Sequence, residues 1–263
     1  MSTATIGAPR DVRPAAAGCY LYGVVPSGTR LPDDLCGVGP AGPRPTLIHH
    51  GDLAAVISPV ARDRALGSRR DLLRHARILD ELAASVPVLP ARFGVVLDDP
   101  GSVVTRLLEP RRAPFAAALA RLAGTAQFIV SVRHVEDAVL GEVLAGEPDI
   151  ARLRELVRAG GGAAGVRVRL GELVAGALAA RRARDRQHVR AVLEPYRVAA
   201  VTRPVTGADE AACVAFLVEH DGRARFEAAV QRLAAEWAGR ARVRLLGPLA
   251  PYDFADALVH GEG

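Results

Sequence analysis

The chain has 263 residues and a net charge of +5, half of its residues are hydrophobic, and 24% are charged. This length favours two domains of ordinary size over one large domain, and the hydrophobic content argues against global disorder. The sequence contains no lysine, so its 34 cationic side chains are all arginines. Enzymes that form a Schiff base through lysine and proteins that bind nucleotides with a phosphate-loop lysine are therefore excluded.

The N-terminal region and the cysteines bear on the cellular compartment. Residues 1–17 lack the apolar core of a signal peptide and are predicted to form a disordered leader. No apolar run approaches the roughly 18–20 residues that span a bilayer. Cys19, Cys36 and Cys213 are widely spaced without a C-x-x-C motif, which favours buried, unpaired thiols in a reducing compartment. We therefore expect a soluble, cytoplasmic protein that does not contact a membrane.

Residues 18–124 are predicted to form an N-terminal α+β domain. The β-forming run Cys19–Pro26 predicts a buried strand, and a loop rich in proline and glycine follows it. Two apolar runs separated by His-His-Gly-Asp predict a hairpin over residues 46–60. An amphipathic helix is predicted over residues 68–85, capped by Ser68 or Asp71. Its apolar residues are expected to share one face: Leu72, Leu73, Ala76, Leu79, Leu82 and Ala83.

The remainder of this domain is less regular. Val86–Val96 is extended but contains two prolines, which predicts an edge strand or an irregular one. Asp99-Pro100 then has the pattern of a helix start, and a second short helix is expected to end at Gly124. We place the domain junction near Gly124.

Residues 125–248 are predicted to form a C-terminal domain in which strands and helices follow the order β-α-β-β-α-β. The first helical element consists of two stretches, 136–158 and 166–194, joined by "GGGAAG". This order is typical of a ferredoxin-like fold, with a four-stranded antiparallel sheet and helices on one face. The predicted fold class is therefore α+β, with two domains, the second a modified ferredoxin-like βαββαβ fold followed by a C-terminal tail.

The last folded segment reads "LLGPLAPYDFAD". Its glycine and two prolines predict that the final strand ends at Leu246 and that an irregular segment follows, with residues 249–263 forming the tail. Tyr252 and Phe254 are expected to hold this tail against the second domain.

The motifs of common active sites are largely absent. Gly160, Gly162 and Gly165 match G-x-G-x-x-G, but a helical sequence precedes them where a dinucleotide-binding motif requires a strand. The histidines lack metal-ligand spacing, and His75 is interpreted as a core-edge histidine bonded to the backbone. No catalytic, metal-binding or cofactor-binding residue is predicted, so we expect no cofactor and no enzymatic activity. The arginine block Arg181–Arg190 contains no aromatic residue and is interpreted as a solvated helix face.

Four stretches, in order, resemble one family, the gas vesicle accessory proteins of the F/L type (the GvpL/GvpF family). The first is Tyr20–Val25, which resembles the opening strand of that family, and the second is Gly51–Ser58. The third is His75 with Ile78-Leu79 and the signature-like run Val88–Gly94, and the fourth is Gly247–Phe254. Leu249 and Ala250 depart from the family, which usually has Trp and Pro there, and Ala91 replaces a larger apolar residue.

The resemblance implies a non-enzymatic role in building gas vesicles. Its implied partners are the small, very hydrophobic gas vesicle shell protein and other gas vesicle accessory proteins, with no nucleic acid and no membrane. It also implies localisation to the gas vesicle in the cytoplasm. The interrupted strand and the tail are the candidate contact regions. The motif residues singled out as possible partner contacts are Tyr22, Pro90, Arg92, Phe93, Gly94, Gly247, Pro248, Pro251, Tyr252 and Phe254.

Structural roles compete with partner contact at these positions. For Arg92 and Phe93 we favour a salt-bridged arginine and a core aromatic over direct contact. The alternative function is a ferredoxin-like protein that binds nucleic acid or a small molecule. A nucleic-acid binder of this fold needs aromatic residues on its central strands, and the strand beginning at Ala211 offers only Phe216.

Overall fold

A computed structural model describes residues 17–62, 66–160, 163–207 and 209–260. The predicted leader lies outside these ranges except for Ala17, and so do Gly161 and Gly162 of the glycine joint. The described residues divide into two compact units. The first comprises those up to Leu82 together with Val88–Ala120, and the second comprises Ala83–Pro87 and those from Arg121 onward.

The first unit contains a five-stranded antiparallel sheet in which β1 is central. The order is β2-β3-β1-β4, and β5 also pairs with β1, so β4 and β5 form one interrupted edge. The predicted hairpin is confirmed, since β2 pairs with β3 along its whole length. The strands are β1 Ala17–Pro26, β2 Thr46–His50, β3 Leu53–Ala61, β4 Leu89–Pro90 and β5 Val96–Leu97.

Helix α1, Arg69–Ala83, begins with a side-chain cap. The Asp71 backbone N–H donates to Ser68 Oγ (3.1 Å), and Ser68 Oγ–H donates to Asp71 Oδ2 (2.7 Å). The predicted apolar face is wrong in its first turn, because Leu72 and Leu73 are 46% and 60% exposed. The buried stripe runs through positions spaced three and four apart: Asp71, His75, Ile78, Leu79 and Leu82.

Two further helical segments follow β5. Asp99 caps the short helix α2, Pro100–Val103, by accepting from the Ser102 N–H at 2.8 Å. A π-helical turn over Val104–Leu108 leads to α3, Arg112–Leu122. The predicted helix start at Asp99-Pro100 is therefore confirmed.

The second unit contains a four-stranded antiparallel sheet with the order β7-β8-β6-β9. Alternate residues of β6 and β8 are buried together with one face of α6 and one face of α7, which forms the main core of this unit. Phe226 of α7 lies 5.5 Å, centroid to centroid, from both Phe128 and Phe216. The strands are β6 Thr125–His134, β7 Ala199–Thr202, β8 Glu210–Glu219 and β9 Ala241–Leu249.

Three helices connect β6 to β7, where the sequence predicted two helical stretches. The first stretch is broken at Glu147-Pro148, because proline starts a helix readily but cannot continue one. The helices of this unit are α4 Glu136–Gly146, α5 Pro148–Arg158, α6 Ala164–Leu193, α7 Arg223–Glu236 and α8 Tyr252–His260.

The prediction of an irregular segment after Leu246 is wrong. Strand β9 continues through Gly247 and Pro248 to Leu249, which pairs with Gln127 after a register shift. Because β9 is an edge strand, the missing N–H of Pro248 costs no ladder hydrogen bond inside the sheet. Pro251 then precedes α8, and its carbonyl accepts the first helical N–H bonds, from Phe254 and Ala255.

Two general features complete the fold. The cysteines are unpaired as expected, but only Cys19 is buried, while Cys213 is half-buried and Cys36 is exposed. None of the described helices combines the length and the apolar character needed to cross a bilayer.

Candidate functional site

The signature-like run Val88–Gly94 lies against β1 in the first unit. Its backbone is attached on both sides of the turn: the Ala91 N–H donates to the Tyr22 carbonyl (2.8 Å), and the Leu21 N–H donates to the Val95 carbonyl (2.9 Å). Gly94 has φ +92°, a conformation that favours glycine and reverses the chain between β4 and β5. We call residues 91–96 the signature loop.

A hydrogen-bond chain joins this loop to β1 and α1 through two buried side chains. The Gly94 N–H donates to Tyr20 Oη (3.2 Å), and Tyr20 Oη lies 2.9 Å from His75 Nδ1. His75 Nε2 lies 3.2 Å from the Ala91 carbonyl, which can only accept, so Nε2 carries the proton and Nδ1 accepts from Tyr20. The chain thus leaves the loop at Gly94 and returns to it at Ala91, and it confirms the interpretation of His75 as bonded to the backbone.

A second buried contact holds the long loop before β2. Tyr22 Oη accepts from the Val38 N–H at 2.7 Å and lies 2.8 Å from Ser58 Oγ of β3. Asp71 at the start of α1 accepts from the Gly39 N–H at 3.1 Å. These polar groups therefore tie the loop to two strands and a helix.

The protonation of this cluster follows from its burial. Burial lowers the pKa of His75 from 6.5 to about 4, so its ring is neutral at physiological pH. Burial also raises the pKa values of Tyr20 and Tyr22 above the usual range, so both hydroxyls keep their protons. The imidazole is neutral and both of its nitrogens form hydrogen bonds, and the two phenols are un-ionised. The cluster therefore acts as a hydrogen-bond network that holds the structure together.

The outer part of the signature loop is accessible. Phe93 is half-buried, with its ring 5.5 Å from His75 and 6.0 Å from Tyr20, and it closes the cluster from one side. Arg92 is exposed, and Val95 and Val96 are 37% and 38% exposed. Pro90 is half-buried in β4, where it pairs with Gly23. The loop thus has an inner side bonded to the body and an outer side that presents one cation and two valines.

The closing motif of the second unit is attached by a reciprocal pair of hydrogen bonds. Gln127 Nε2 donates to Asp253 Oδ2 (2.7 Å), and the Asp253 N–H donates to Gln127 Oε1 (3.0 Å). Gln127 is 1% exposed, so each half of its amide needs such a partner. Arg203 lies 3.4 Å from the same carboxylate oxygen. The start of α8 is thereby bonded to the sheet.

The other closing-motif residues divide into buried and exposed positions. Gly247 has φ +145°, and a Cβ there would lie 2.6 Å from the Phe128 ring, so the close approach of β9 to β6 requires glycine. Pro248 is half-buried, and Pro251 and Phe254 are buried. Tyr252 is 38% exposed. The exposed tyrosine, and not the phenylalanine, is the aromatic that a partner could reach.

Sequence reasoning missed Gln127, Asp253 and Ser58. Gln127 had a signal, since it is a polar residue directly before the apolar run Phe128–Val130 of β6. The candidate residues divide between the two units, with one set in each. Among the described residues there is no group of three or more His, Cys, Asp or Glu side chains that could hold a metal ion.

Comparison with known proteins identifies one family. The family model "Gas vesicle synthesis protein GvpL/GvpF" matches residues 18–256. Gas vesicle protein F of Streptomyces sp. (strain CB03234) is 34% identical over 240 residues, which cover 90% of this chain and 99% of that protein. Gas vesicle protein F of Nostoc sp. (strain PCC 7120 / SAG 25.82 / UTEX 2576) is 25% identical, with coverage of 91% and 98%.

Two crystal structures share the fold. The gas vesicle protein GvpF of Anabaena sp. PCC7120 superposes with a TM-score of 0.80 at 24% identity, covering 91% of this chain and 98% of that one. GvpF of Microcystis aeruginosa superposes with a TM-score of 0.74 at 22% identity, covering 90% and 98%. Both similarities extend over the two units of the chain.

The buried histidine predicts a specific dependence of stability on pH. In the unfolded chain His75 titrates near 6.5, whereas in the folded chain its pKa is about 4. Between these values the unfolded state binds a proton that the folded state does not, so the free energy of unfolding falls as the pH falls from 6.5 to 4. The full loss is about 3 kcal/mol at roughly 1.4 kcal/mol per pH unit.

We expect His75→Gln to remove this part of the pH dependence, as measured by urea denaturation followed by the near-UV circular dichroism of tyrosine. His49→Gln is the matched control, since His49 is an exposed histidine of β2 in the same unit. A His75→Gln variant that kept the wild-type slope between pH 6.5 and 4 would contradict the assignment of a buried, neutral imidazole.

The reciprocal amide bonds predict that Asp253 stabilises the second unit. Asp253→Ala leaves the buried Gln127 amide nitrogen without its acceptor, and we expect a loss of about 1–3 kcal/mol in the free energy of unfolding. Asp253→Asn keeps an acceptor oxygen and should lose less than half as much. The single tryptophan, Trp237, is buried in this unit, so its fluorescence in a urea titration reports the change. Equal losses in the two variants would contradict the proposed role of the acceptor.

Proposed function

The chain belongs to the GvpL/GvpF family of gas vesicle synthesis proteins, and from this premise we propose that it is a non-enzymatic accessory protein that binds the hydrophobic shell protein and helps to form the gas vesicle. The observation that carries the proposal is the family match over residues 18–256. On this proposal the protein is located at the gas vesicle, and its partners are the shell protein and other gas vesicle accessory proteins.

The physical task of such a protein is to cover apolar surface. A shell subunit exposes apolar area before it joins the shell, and large exposed patches of this kind aggregate in water. A partner that offers apolar side chains or a sheet edge can cover the patch until the subunit is incorporated.

The outer side of the signature loop is the surface that we assign to this contact. It presents Val95 and Val96 beside Arg92 at the interrupted edge formed by β4 and β5. A short, broken edge resists uncontrolled strand pairing between copies of the chain, whereas its side chains remain accessible to a chosen partner. The inner side, held by Tyr20 and His75, gives this surface a fixed shape before binding.

The buried clusters support a non-enzymatic role. The Tyr20–His75 chain uses both histidine nitrogens for loop attachment, and the pKa of His75, near 4, is far from the range of a general base at neutral pH. The nucleic-acid alternative requires exposed aromatic residues on the central strands, and Phe216, the aromatic that the sequence offered there, is 0% exposed within the core of the second unit. No observation favours it, and we do not retain it.

We also infer that the second unit is a modified ferredoxin-like domain. Numbering its four strands in chain order, the sheet order β7-β8-β6-β9 corresponds to 2-3-1-4, and α6 and α7 both pack on one face of the sheet. The extra helices α4 and α5 within the first crossover are the modification. We propose a domain boundary near the predicted Gly124. The second domain then extends beyond the predicted Pro248 and includes the whole of β9 and α8.

The assigned contact surface is tested by the double substitution Val95→Asp/Val96→Asp. Two carboxylates in an apolar contact are costly to desolvate, so we expect at least about a fivefold loss of shell protein that copurifies after co-expression. Leu73→Asp is the control, since Leu73 is more exposed, lies in the same unit and is outside the signature loop. Thermal denaturation checks that each variant is folded.

Two outcomes test the assigned surface and the proposed function separately. Equal loss of copurification in Leu73→Asp would contradict the assigned surface. The absence of association between the wild-type protein and the shell protein, both directly and in the presence of the other accessory proteins, would contradict the proposed function.

A further inference from the structure

The excess positive charge of the protein is located on one helix. Helix α6 carries seven arginines and two acidic residues, an excess of five that equals the net charge of the whole chain. The other residues are therefore balanced overall. The arginines are concentrated in the C-terminal half of α6, from Arg181 to Arg190, where Val189 and Leu193 anchor the helix in the core.

Two of these arginines are available for a partner. Arg184 is exposed and Arg186 is partly exposed, and neither has an ion-pair partner among the described residues. In contrast, Arg181 pairs with Glu142 at 2.6 Å, and Arg190 donates to Thr202 at 3.0 Å. Asp185, the acidic residue within the block, is buried and already bonded to other groups.

Asp185 is contacted by polar groups from three sides. His134 lies 2.7 Å from one carboxylate oxygen, and Arg240 and Arg181 lie 2.6 Å and 3.4 Å from the other. The carboxylate therefore fixes α6 against β6 and the segment after α7, and it does not compensate Arg184 or Arg186. The positive charges of Arg184 and Arg186 therefore remain without an ion-pair partner among the described residues on the exposed face of α6.

The shape of this face suits an elongated partner. Ala183, Gln187 and Ala191 are exposed and spaced four residues apart, so they form a low ridge with Arg184 on one side and Arg186 on the other. A groove of about 330 Å³ follows one side of α6 and is lined by Arg184, His188, Trp237 and Arg240. A groove of about 440 Å³ follows the other side and is lined by Arg186, Arg190, Glu194 and Thr202.

We propose that this face of α6 binds an acidic helical segment of a partner protein, whose carboxylates pair with Arg184 and Arg186 on the two sides of the ridge. The alanines at positions 183 and 191 of the ridge allow a second helix to approach closely, and Gln187 between them can form hydrogen bonds with it. Cations on both sides match a helix with glutamates flanking its contact stripe, as in charged pairs beside a coiled-coil seam. Guanidinium groups suit carboxylates because they can donate two parallel hydrogen bonds.

A protein segment fits better than a nucleic acid. Single-stranded nucleic acid needs exposed aromatic side chains for base stacking, and Trp237 is only 3% exposed. Its ring is already covered by Arg240 at 4.4 Å and His188 at 5.5 Å. Glu194 and Glu236 border the two grooves and would repel a continuous phosphate backbone. The carboxylates of a peptide can be placed away from Glu194 and Glu236, whereas the regularly spaced phosphates of a nucleic acid cannot. The proposal does not depend on the gas vesicle function.

The test uses the full-length protein and a fluorescein-labelled helical peptide of about three heptads, with leucine at a and d and glutamate at e and g. Fluorescence anisotropy measures the dissociation constant. We expect Arg184→Gln/Arg186→Gln to weaken binding at least about tenfold, because both carboxylate partners are removed. Arg69→Gln/Arg70→Gln is the control: it removes the same charge from two exposed arginines of the first unit. We expect this control to bind like the wild type.

Reversing the charge of the two arginines is expected to produce a gain of binding to one peptide as well as a loss of binding to the other. Arg184→Glu/Arg186→Glu should lose the glutamate peptide and gain binding of the same peptide with lysine at e and g. In the wild-type protein, hydrogen–deuterium exchange should show slower exchange in residues 181–191 when the glutamate peptide is added, which is independent of how any variant folds.

The overturning results are equally definite. Equal weakening in the two glutamine variants, no binding of the glutamate peptide by the wild type, or protection confined to other regions would each refute the proposal. An oligothymidylate of about 20 nucleotides that bound as tightly as the peptide and was lost in Arg184→Gln/Arg186→Gln would assign the face to nucleic acid instead.

Discussion

The burial of neutral polar groups in the first unit constrains everything around them. A phenol or imidazole that is buried away from water destabilises the fold unless it forms hydrogen bonds within the protein. Here the hydrogen-bond partners come from distant parts of the sequence. Tyr20 and His75 are 55 residues apart, and the loop that they hold contributes backbone groups at Ala91 and Gly94. The signature loop therefore keeps its shape only if β1 and α1 are both in place.

The second unit uses the same physical principle with different groups. A buried amide, Gln127, is satisfied by the backbone N–H and the side chain of Asp253, which lies 126 residues further along the chain. Gly247 allows β9 to approach Phe128 closely enough for Leu249 to pair with Gln127. The C-terminal helix is thus bonded to the central strand β6, and the chain end completes the unit.

The sequence was informative where local patterns decide structure and uninformative where tertiary contacts decide it. The strand β1, the β2–β3 hairpin and the Ser68 cap follow from residue type and spacing, and each is confirmed. The apolar face of α1 was predicted wrongly at Leu72 and Leu73, because polar Asp71 and His75 occupy buried positions once partners satisfy them. Periodicity counts apolar residues and cannot identify a buried polar residue whose partner is far away in sequence. The same limit applies to the pairing of Gln127 with Asp253: Gln127 stands out as a polar residue in β6, but its partner lies 126 residues away.

The closing segment shows why departures from a family pattern can leave its structure intact. Pro248 is tolerated within β9 because an edge strand has one side without ladder bonds, and Pro251 is tolerated because a helix start does not need its N–H. The positions that impose a geometric demand are Gly247, which must lack a side chain, and Asp253, which must accept a hydrogen bond. Leu249 pairs with Gln127 in the β6–β9 ladder, and Ala250 is 0% exposed. Leu249 and Ala250, which depart from the expected pattern, lie between Gly247 and Asp253, and the Gln127–Asp253 hydrogen bonds that attach α8 to the sheet do not involve their side chains.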